Sequence, residues 1–514
     1  MKLRPSRKEL IAAAASALLF ALAFPPFKLL VPAFICLVPL AVGIARAADD
    51  PDGTLGGAAR IGLWFCLIGY GANLYWIAVA LSIFTWLASL GYVGALVWLM
   101  PWLALTTAVL FAARRLTHWP MAILLPVVWV ASELLLLHLG DLAFPWLPLG
   151  LGVSTFPHFA QLADLSGVHG LSAWLALSNG LLADAILTRR FAARVGAVVA
   201  LAVMVYAYGA WRLGSTPLVP LGAVTVIQPN VPEDEKIQEA NRPFFMGIMS
   251  HATREAVAHA PKQPGLIVWP EASLPDFLSQ HAEWRDSLRA LAATTHAPLL
   301  FGVLDVTWSS RTAYEIYNAA DVAEPSGFIV QPSYHKEYLV PIVERVPFVN
   351  PRWFEGLKYF GGFGRGHDPE PYRVPLGTVG VLICYESIFP DLSRHYRQHG
   401  ADLLANITND AWFGRSLAPY QHVAHLRLRA IENRVGIVRS ANTGISEYVD
   451  PLGRVHGATG LFVAAAPTFD VETTHIETLY VQWGDWIGML AATLALALAI
   501  TAYVTNRSRR QHRY

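Results

Sequence analysis

The feature that most constrains the fold of this chain is a long stretch without any ionisable side chain. Between Ile61 and Ala113 there is no Asp, Glu, Lys, Arg or His. A helix needs about 20 apolar residues to cross the hydrocarbon core of a bilayer, so this stretch is long enough for two crossings. The chain is therefore predicted to contain membrane-spanning helices.

Apolar segments of similar length recur along the first 213 residues and near the end of the chain. Hydrophobic residues make up 54% of the 514 positions and charged residues only 15%, which is too apolar for an ordinary soluble protein of this size. We predict about eight spans, near residues 9–26, 28–46, 59–80, 87–112, 119–138, 169–188, 193–212 and 484–504. The first is not expected to be a cleaved signal peptide, because its apolar core continues into Phe24-Pro25-Pro26-Phe27.

The basic residues predict the orientation of these spans. They precede the first span, occupy every second loop and follow the last span, at Lys2, Arg4, Arg7, Lys8, Arg46, Arg60, Arg114, Arg115, Arg189, Arg190, Arg194, Arg507, Arg509, Arg510 and Arg513. The intervening loops are almost free of them: the first has only Lys28, and the 139–168 connection has neither lysine nor arginine. Basic loops stay in the cytoplasm. We therefore expect both ends of the chain in the cytoplasm of a bacterium, with the protein in its inner membrane.

The distribution of charge divides the chain into four parts. Residues 1–213 are expected to form a membrane domain of seven helices, and 214–222 ("GSTPLVPLG") a linker. Residues 223–478 carry charges at ordinary density and form the predicted periplasmic domain. Residues 479–514 contain the last span and a basic tail.

Two features of the membrane part allow more than one interpretation. The 139–168 connection is apolar but broken by proline and glycine, so we expect it to lie in the interface or to re-enter the membrane, with a short extra span as the alternative. Glu133, an acid inside the fifth span, is either functional or satisfied by a structural hydrogen bond.

Trp76, Trp86 and Trp146 are expected to anchor the outer ends of the spans in the interface.

The periplasmic part has the pattern of an α/β domain. Short β-branched runs are predicted strands at 223–228, 266–270, 298–304, 378–384, 402–408 and 435–441. Helical patterns lie between several of them, notably at 278–294 and 417–433. Sheets packed against helices are the expected architecture.

Three reactive side chains follow the ends of extended runs. Glu271 follows "LIVWP", Lys336 follows "FIVQPSYH", and Cys384 closes "TVGVLIC". Functional side chains collect beyond the carboxyl ends of strands in such sheets. A carboxylate can take the proton of a thiol, and a lysine can stabilise a thiolate or a developing oxyanion. As a set, the three predict a site for nucleophilic catalysis.

Each of the three also has an ordinary structural interpretation. Cys384 could be a small buried hydrophobe, Glu271 could cap a following helix, and Lys336 could be solvated at the surface. The chain has only three cysteines, and Cys36 and Cys66 lie in predicted spans. A disulfide framework or a zinc cluster is therefore not expected.

The motifs around these residues resemble those of a known superfamily. "WPEASLP" with Glu271, "YHKEYLVPIVERVPF" with Lys336 and "ICYESIFP" with Cys384 are similar to the Glu-Lys-Cys signatures of the nitrilase, or carbon-nitrogen hydrolase, superfamily. "NITNDAWFG" and "RSANTGIS" fit the same pattern. Inserted between seven spans and an eighth, the domain resembles the apolipoprotein N-acyltransferase family over essentially the whole chain. The resemblance implies an α-helical transmembrane bundle plus a nitrilase-like αββα sandwich.

The resemblance also implies a role for individual residues. Glu271 would be the general base, Lys336 would stabilise the tetrahedral intermediate, and Cys384 would form a thioester. The supporting residues would be Glu344 beside the lysine, Tyr385 as a backbone oxyanion donor, Glu386 after the nucleophile, and Asn318 and Trp412 near the pocket. One departure is Ile237, where family members often have a tryptophan.

The implied reaction has two steps and needs no metal or cofactor. Cys384 would take an acyl chain from a phospholipid, with phosphatidylethanolamine as the expected donor. It would then pass the chain to the free α-amine of the S-diacylglyceryl-cysteine at the N-terminus of an apolipoprotein. The near-zero net charge of +1 gives no nucleic-acid footprint, and a monomer in contact with membrane lipid is expected.

Two other functions remain as alternatives. A membrane-anchored amidase or nitrilase would use the same three residues and pass the acyl group to water. A transporter or scaffold with an inactive domain is the non-enzyme alternative, but a transporter predicts several ionisable groups deep in the spans.

Two further patterns are not expected to form a ligand site. "GGFGRG" at 361–366 lacks the strand-to-helix frame of a phosphate loop and is expected to belong to a mobile lid with Phe360 and Phe363. His422 and His425 lie three apart on a predicted helix without a third ligand. They are expected to be helix residues with satisfied hydrogen bonds rather than metal ligands.

Overall fold

The structure is a computed structural model that describes residues 4–82, 88–236, 238–308, 310, 314–346 and 362–511. Its N-terminal part is helical. The helices are α1 (Arg7–Leu22), α2 (Leu30–Ile35), α3 (Val38–Asp49), α4 (Leu55–Phe65), α5 (Gly71–Leu74), α6 (Trp76–Ser82), α7 (Ala88–Thr117), α8 (Met121–Leu137), α9 (Pro157–Ala160), α10 (Ala163–Thr188) and α11 (Phe191–Ser215). One turn of π-helix, Cys66–Tyr70, joins α4 to α5. Ile237, Trp86 and Phe360 lie outside the described residues.

All eight predicted spans coincide with helices. Within the described residues, six helical segments are long and apolar enough to cross a membrane, namely Leu30–Asp49, Leu55–Leu74, Ser89–Thr117, Ala163–Thr188, Phe191–Ser215 and Trp486–Val504. The predicted first and fifth spans are α1, with 16 residues, and α8, with 17 residues. Both are shorter than the usual crossing length of about 20 residues. The protein is thus a multi-pass membrane protein, and a total of eight crossings remains a prediction.

The 139–168 connection contains no helix of spanning length. It consists of 3₁₀ turns at Gly140–Leu142 and Leu149–Val153, then α9 and the start of α10. The second 3₁₀ turn is buried throughout. The alternative of a short extra span is therefore wrong, and the connection instead fills space between the membrane helices and the α/β part.

The α/β part lies between α11 and the last helix. Its strands are β1 (Val219–Val226), β2 (Leu266–Val268), β3 (Leu274–Phe277), β4 (Leu299–Trp308), β5 (Tyr314–Ala323), β6 (Tyr334–His335), β7 (Tyr372–Val374), β8 (Gly377–Ile383), β9 (Leu403–Thr408), β10 (Gly436–Ala441), β11 (Glu447–Val449), β12 (Val455–His456) and β13 (Thr468–Thr473). Its helices and the last helix are α12 (Glu233–Lys236), α13 (Arg242–His259), α14 (Ala282–Thr295), α15 (Pro390–Gln398), α16 (Ala418–Asn433), α17 (Leu479–Trp483) and α18 (Trp486–Gln511). All six predicted strands and both predicted helices are confirmed.

The strands form two sheets packed face to face. In the described residues, the first sheet has the order β13-β1-β2-β4-β5-β6, with β3 beside β4, and the second has the order β12-β11-β10-β9-β8-β7. Apolar side chains of both sheets share one core, which includes Val224 and Val268 of the first and Val381 and Leu404 of the second. The middle strands β8, β9 and β10 are parallel. Their continuous apolar sequences fit burial on both faces.

Helices cover both outer faces and complete the expected αββα sandwich. Side chains of α13 and α14, such as Met249 and Leu288, pack on the first sheet. On the other side, Leu428 and Ile431 of α16 share a core with membrane-helix residues such as Phe20 and Trp129. The outer helix layer of the second sheet therefore lies directly against the membrane helices, which brings the end of β8 close to them.

Candidate active site

Cys384 lies in a strained backbone conformation at the end of β8. Its φ of +51° is in the left-handed region, which is uncommon for a residue other than glycine. The chain turns here from the strand into a 3₁₀ helix, Cys384–Ile388. Strain of this kind is concentrated at functional sites, where a sharp strand-to-helix turn projects a nucleophile from the sheet.

Lys336 directly follows β6 and is held between two carboxylates. Its backbone N–H donates to the Asn318 carbonyl at 2.9 Å, which fixes it to β5. The Nζ atom lies 2.8 Å from Glu344 Oε1 and 3.5 Å from Glu271 Oε1. Only 1% of the Lys336 side chain is exposed, so the alternative of a solvated surface lysine is wrong.

Glu271 is fixed by donors from three separate elements. Its Oε1 accepts hydrogen bonds from Asn318 Nδ2 at 2.7 Å and from Lys336 Nζ, and its Oε2 accepts one from the Asn409 backbone N–H at 2.9 Å. The element after Glu271 is the strand β3, so the alternative of a helix cap is also wrong. The carboxylate is buried, and its donors come from the middle of β5, from the residue after β6 and from the residue after β9.

The Asn318 side chain connects the two acids. Its Nδ2 donates to Glu271 at 2.7 Å and to Glu344 at 3.2 Å. The second oxygen of Glu344 accepts the Val340 backbone N–H at 2.7 Å. Every oxygen of the two carboxylates therefore has a defined partner, which holds them in place around the Lys336 ammonium.

Electrostatics keep both the Cys384 thiol and the Lys336 ammonium protonated, so the first is neutral and the second is charged. Burial, together with the negative charge of Glu271, raises the pKa of the Cys384 thiol, although Lys336 opposes this. Cys384 is therefore a neutral thiol at rest. For Lys336, burial disfavours the charge, but the Glu344 and Glu271 carboxylates outweigh it and raise the pKa of the ammonium. Lys336 thus remains protonated at neutral pH.

Glu386 links the cysteine turn to the lysine loop. It accepts hydrogen bonds from the Ile383 N–H at 2.6 Å, the Tyr334 hydroxyl at 2.7 Å, and the Glu337 N–H at 2.6 Å. Burial raises the pKa of Glu386 to about 7. The side chain is fully buried and holds the loop that carries Lys336 against the strand that carries Cys384.

Tyr385 connects the same turn to the membrane part. Its hydroxyl donates to the Ala143 carbonyl at 2.9 Å, in the 139–168 connection. Its ring stacks with Phe144 and Trp146. The backbone N–H of Tyr385 belongs to the first turn of the 3₁₀ helix, where amides have no partner within the helix.

The chain matches two family models and many relatives. The carbon-nitrogen hydrolase model matches residues 224–478, and the model for the apolipoprotein N-acyltransferase N-terminal domain matches residues 16–181. An apolipoprotein N-acyltransferase of Geobacter metallireducens is 34% identical, with 96% of this chain and 95% of the relative covered. The chain belongs to the apolipoprotein N-acyltransferase family. The relative of that name in Rhodopseudomonas palustris is 32% identical, with 96% and 95% covered.

Solved structures similar to the chain cover about half of it. An amidase from Nesterenkonia sp. matches with a TM-score of 0.38 and 18% identity, over 52% of this chain and 95% of the amidase. A carbon-nitrogen hydrolase from Helicobacter pylori G27 matches with a TM-score of 0.38 and 16% identity, over 49% of this chain and 89% of the other.

The structure brings most of the predicted site residues of this family member together. Hydrogen bonds join Glu271, Lys336, Glu344 and Asn318. Glu386 binds the backbone N–H next to Lys336 and the one just before Cys384. Trp412 is half-buried in the 3₁₀ turn Asp410–Phe413, just after Asn409.

Some residues of the site were not anticipated from the sequence. Lys236 is buried, and its Nζ donates to the Glu271 backbone carbonyl at 3.0 Å. The hydroxyl of Thr408, at the end of β9, interacts with the Cys384 thiol. Asn409 supplies the amide that binds Glu271. Thr408 and Asn409 lie within "NITNDAWFG". Their contacts become visible only in the structure, where β2, β8 and β9 lie close together.

Other sequence expectations can now be assessed. In "GGFGRG", Phe363 is buried, and its N–H donates to the Glu344 carbonyl at 3.0 Å, so this part packs against the site. Residues 347–361 lie outside the described part, and the lid remains a prediction. Glu133 accepts hydrogen bonds from Trp129 Nε1 at 2.8 Å and the Leu149 N–H at 2.7 Å, which favours the structural interpretation.

Proposed function

We propose that this protein moves a fatty acyl chain from a phospholipid to the α-amine of the N-terminal S-diacylglyceryl-cysteine of apolipoproteins, through a thioester on Cys384. The observation that carries the proposal is the buried Glu271–Lys336 ion pair, whose charges act on the Cys384 thiol, in a member of the apolipoprotein N-acyltransferase family. The reaction completes the maturation of a lipoprotein. No metal or cofactor takes part in it.

The first half-reaction forms the acyl-enzyme. Glu271 takes the S–H proton as the Cys384 sulfur attacks the ester carbonyl of the phospholipid. The carbonyl π electrons move to oxygen, and the resulting oxyanion is stabilised by the Lys336 ammonium and the Tyr385 backbone N–H. The intermediate collapses by breaking the C–O bond. Glu271 returns the proton to the departing lysophospholipid oxygen.

The second half-reaction transfers the acyl chain to nitrogen. The neutral α-amine of the diacylglyceryl-cysteine attacks the thioester carbonyl, and the same two donors stabilise the oxyanion. Glu271 accepts a proton from the attacking nitrogen. As the C–S bond breaks, that proton passes to the Cys384 sulfur, which leaves an amide product and the resting thiol.

The charges of the site suit this cycle. With Glu271 and Glu344 ionised and Lys336 protonated, the resting site already carries more negative than positive charge. A thiolate would add another buried negative charge, so the proton leaves sulfur only as the substrate carbonyl accepts the electron pair. The raised pKa of Lys336 keeps its proton in place, so it stabilises the oxyanion as a cation and not as an acid.

Contact with the membrane helices favours a lipid acceptor over water. Tyr385, next to the nucleophile, bonds to the 139–168 connection and belongs to the same apolar core as the membrane helices. Withdrawing an acyl chain from lipid costs roughly 0.8 kcal/mol per CH₂. A site next to the bilayer avoids most of that cost for the acyl donor and the acceptor alike. An amidase with a soluble amide substrate would gain nothing from such a position.

The experiment that tests the proposal compares two acceptors. Purified protein in phosphatidylethanolamine vesicles is incubated with a diacylglyceryl-cysteine peptide, and products are followed by mass spectrometry. We expect N-acylated peptide and lysophospholipid in equal amounts. Free fatty acid without acylated peptide would instead support the membrane-anchored amidase and refute the transferase.

Several finer features belong to the same proposal. Phosphatidylethanolamine is the donor, the protein acts as a monomer in the bacterial inner membrane, and the domain at 223–478 faces the periplasm. The domain is preceded by the membrane domain 1–213 and the linker 214–222, and it is followed by the last span and tail, 479–514. The alternation of basic loops supports this orientation.

A further inference from the structure

A buried histidine lies directly behind the nucleophile turn. His422, on α16, is fully buried. Its Nε2 lies 3.0 Å from the Cys384 carbonyl oxygen and 3.0 Å from Ser387 Oγ. On the opposite side of the ring, Nδ1 lies 3.1 Å from both Asp410 Oδ1 and the Arg439 guanidinium. One imidazole therefore connects the nucleophile backbone to a buried ion pair.

The partners of His422 define which nitrogen carries the proton. Burial and the positive charge of Arg439 lower the pKa of His422, so the ring is neutral and has one N–H. The Cys384 carbonyl can only accept a hydrogen bond and Arg439 can only donate one. Nε2 is therefore the protonated nitrogen, and Nδ1 accepts from Arg439.

The ion pair behind the ring is compatible with this assignment. Asp410 Oδ2 lies 2.7 Å from Arg439, and Asp410 Oδ1 accepts the Thr408 hydroxyl at 3.1 Å. The carboxylate therefore has donors on both oxygens without needing a proton from His422. All members of this cluster are fully or almost fully buried, so their arrangement is fixed by the fold.

The hydrogen bond to the Cys384 carbonyl also orients the backbone N–H of Tyr385. In a trans peptide the C=O and the following N–H point in opposite directions. The carbonyl of Cys384 is directed towards His422 and Ser387, so the N–H of Tyr385 is directed away from them. Because Cys384 has a strained φ, this peptide plane needs an external support to stay in place.

We infer that His422 is a positioning residue for acyl transfer, which holds the 384–385 peptide plane so that the Tyr385 N–H faces the oxyanion. The inference deepens the proposed function and rests on it, because it requires Cys384 as the nucleophile. His422 touches neither the substrate nor the sulfur in this role. It acts through the backbone that carries both the sulfur and the donor amide.

The test separates oxyanion stabilisation from simple thiol reactivity. Acylation of Cys384 by phospholipid passes through an oxyanion, whereas alkylation by iodoacetamide does not. Both rates are measured on the peptide that contains Cys384, in the full-length protein in vesicles. For His422→Leu we expect acylation to fall about 100-fold, the usual effect of losing one oxyanion donor, and alkylation to change by less than about threefold.

Two substitutions and one control make the result specific. His422→Gln retains an N–H that reaches the carbonyl and is expected to restore acylation to within about tenfold of the original rate. His422→Asn, which is polar but too short, should behave like His422→Leu and replaces it if that variant does not accumulate. The matched control is His425→Leu, a buried histidine of the same helix that bonds to the Trp146 carbonyl and should leave both rates within about threefold.

Three outcomes would contradict the inference. Unchanged acylation in a folded His422→Leu or His422→Asn protein would remove the positioning role. An equal loss of acylation and alkylation would reduce His422 to structural support. If the original protein forms no acyl adduct on Cys384 at all, the proposed function itself fails, and this result differs from the first two because it appears without any substitution.

Discussion

At the scale of single residues, most polar atoms of the site have a hydrogen-bond or ion-pair partner. One ammonium, that of Lys336, is shared by the carboxylates of Glu271 and Glu344, and Asn318 bridges the same two acids. The Cys384 thiol is the only one of the reactive groups that carries no charge at rest. In the proposed mechanism, the proton therefore leaves sulfur only when an acyl carbonyl is present.

The cysteine substitution tests this assignment most directly. We expect Cys384→Ser to lower acyl-enzyme formation at least about 1,000-fold, because an alcohol is a far weaker nucleophile at neutral pH. The measurement is mass spectrometry of the 379–390 peptide after incubation with phospholipid, with hydroxylamine to release a thioester. The matched control is Cys66→Ser, since Cys66 is also buried but lies in a membrane helix. A normal amount of acyl adduct in Cys384→Ser would show that another residue is the nucleophile.

Glu271 and Cys384 could be predicted because each stands at the end of an apolar run, whereas Lys336 was predicted from the extended run "FIVQPSYH" before it. Their partners were harder to predict, since the contacts of Thr408, Asn409 and His422 arise only where β8, β9 and α16 meet. His422 was expected to be a satisfied helix residue, and its hydrogen bonds agree with that expectation. The identity of its partner, the nucleophile carbonyl, depends on long-range packing that spacing alone does not encode.

At the scale of elements, the best-predicted strands are those buried on both faces. β8, β9 and β10 have continuous apolar sequences and form the parallel centre of the second sheet. β5 was not predicted, because its sequence, "YEIYNAADVA", mixes polar and small residues along its length. The two-residue strand β6 is too short to leave a pattern, although it places Lys336. Such strands are specified by their neighbours more than by their own sequence.

One glycine on β4 controls the position of Glu271, the proposed general base. A Cβ added at Gly302 would lie 2.5 Å from the Ala272 nitrogen and 2.8 Å from the Glu271 Cα. Because both atoms are backbone, the turn itself would have to move. The Ser273 hydroxyl also donates to the Gly302 carbonyl at 3.0 Å, which fixes the turn to the strand.

We therefore expect Gly302→Ala to slow acylation of Cys384 about 10- to 100-fold, since a displacement of about 1 Å can cost that much in rate. Iodoacetamide alkylation of Cys384 should also slow, because Glu271 removes the thiol proton. The control is Gly247→Ala on α13, where an added Cβ meets nothing within 4 Å. Full activity in Gly302→Ala would mean that the Glu271 turn tolerates displacement or that Glu271 is not the base.

At the scale of the whole molecule, the membrane helices and the α/β part form a continuous structure. Apolar side chains of α16 share a core with the membrane helices. Polar side chains cross the same boundary: Trp146 Nε1 donates to Gln421 at 2.8 Å, and Glu432 accepts the Val168 N–H at 2.9 Å. The position of Cys384 relative to the membrane helices is therefore set by packing and not by a flexible linker.

Asp164 is a buried acid at this boundary with three side-chain donors. Its carboxylate, at the start of α10, accepts from the Tyr208 hydroxyl at 2.5 Å, from Arg212 Nε at 2.6 Å and from Arg434 at 2.5 Å. Tyr208 and Arg212 belong to α11, whereas Arg434 follows α16 in the α/β part. One buried acid is thus the shared counter-charge of two guanidinium groups that come from different parts of the protein.

We expect Asp164→Asn to destabilise the folded protein by about 3 to 5 kcal/mol, because two buried guanidinium groups would lose their shared counter-charge. The measurement is the thermal unfolding midpoint of the detergent-solubilised protein. The matched control is Asp470→Asn, whose ion pair with Lys262 is 63% and 66% exposed at its two side chains and should contribute less than about 1 kcal/mol. Acylation per folded molecule should fall in Asp164→Asn as well, since the contact of Tyr385 with the membrane part depends on the same boundary. Equal midpoints for the two variants would mean that the charge of Asp164 does not hold the α/β part to the membrane helices.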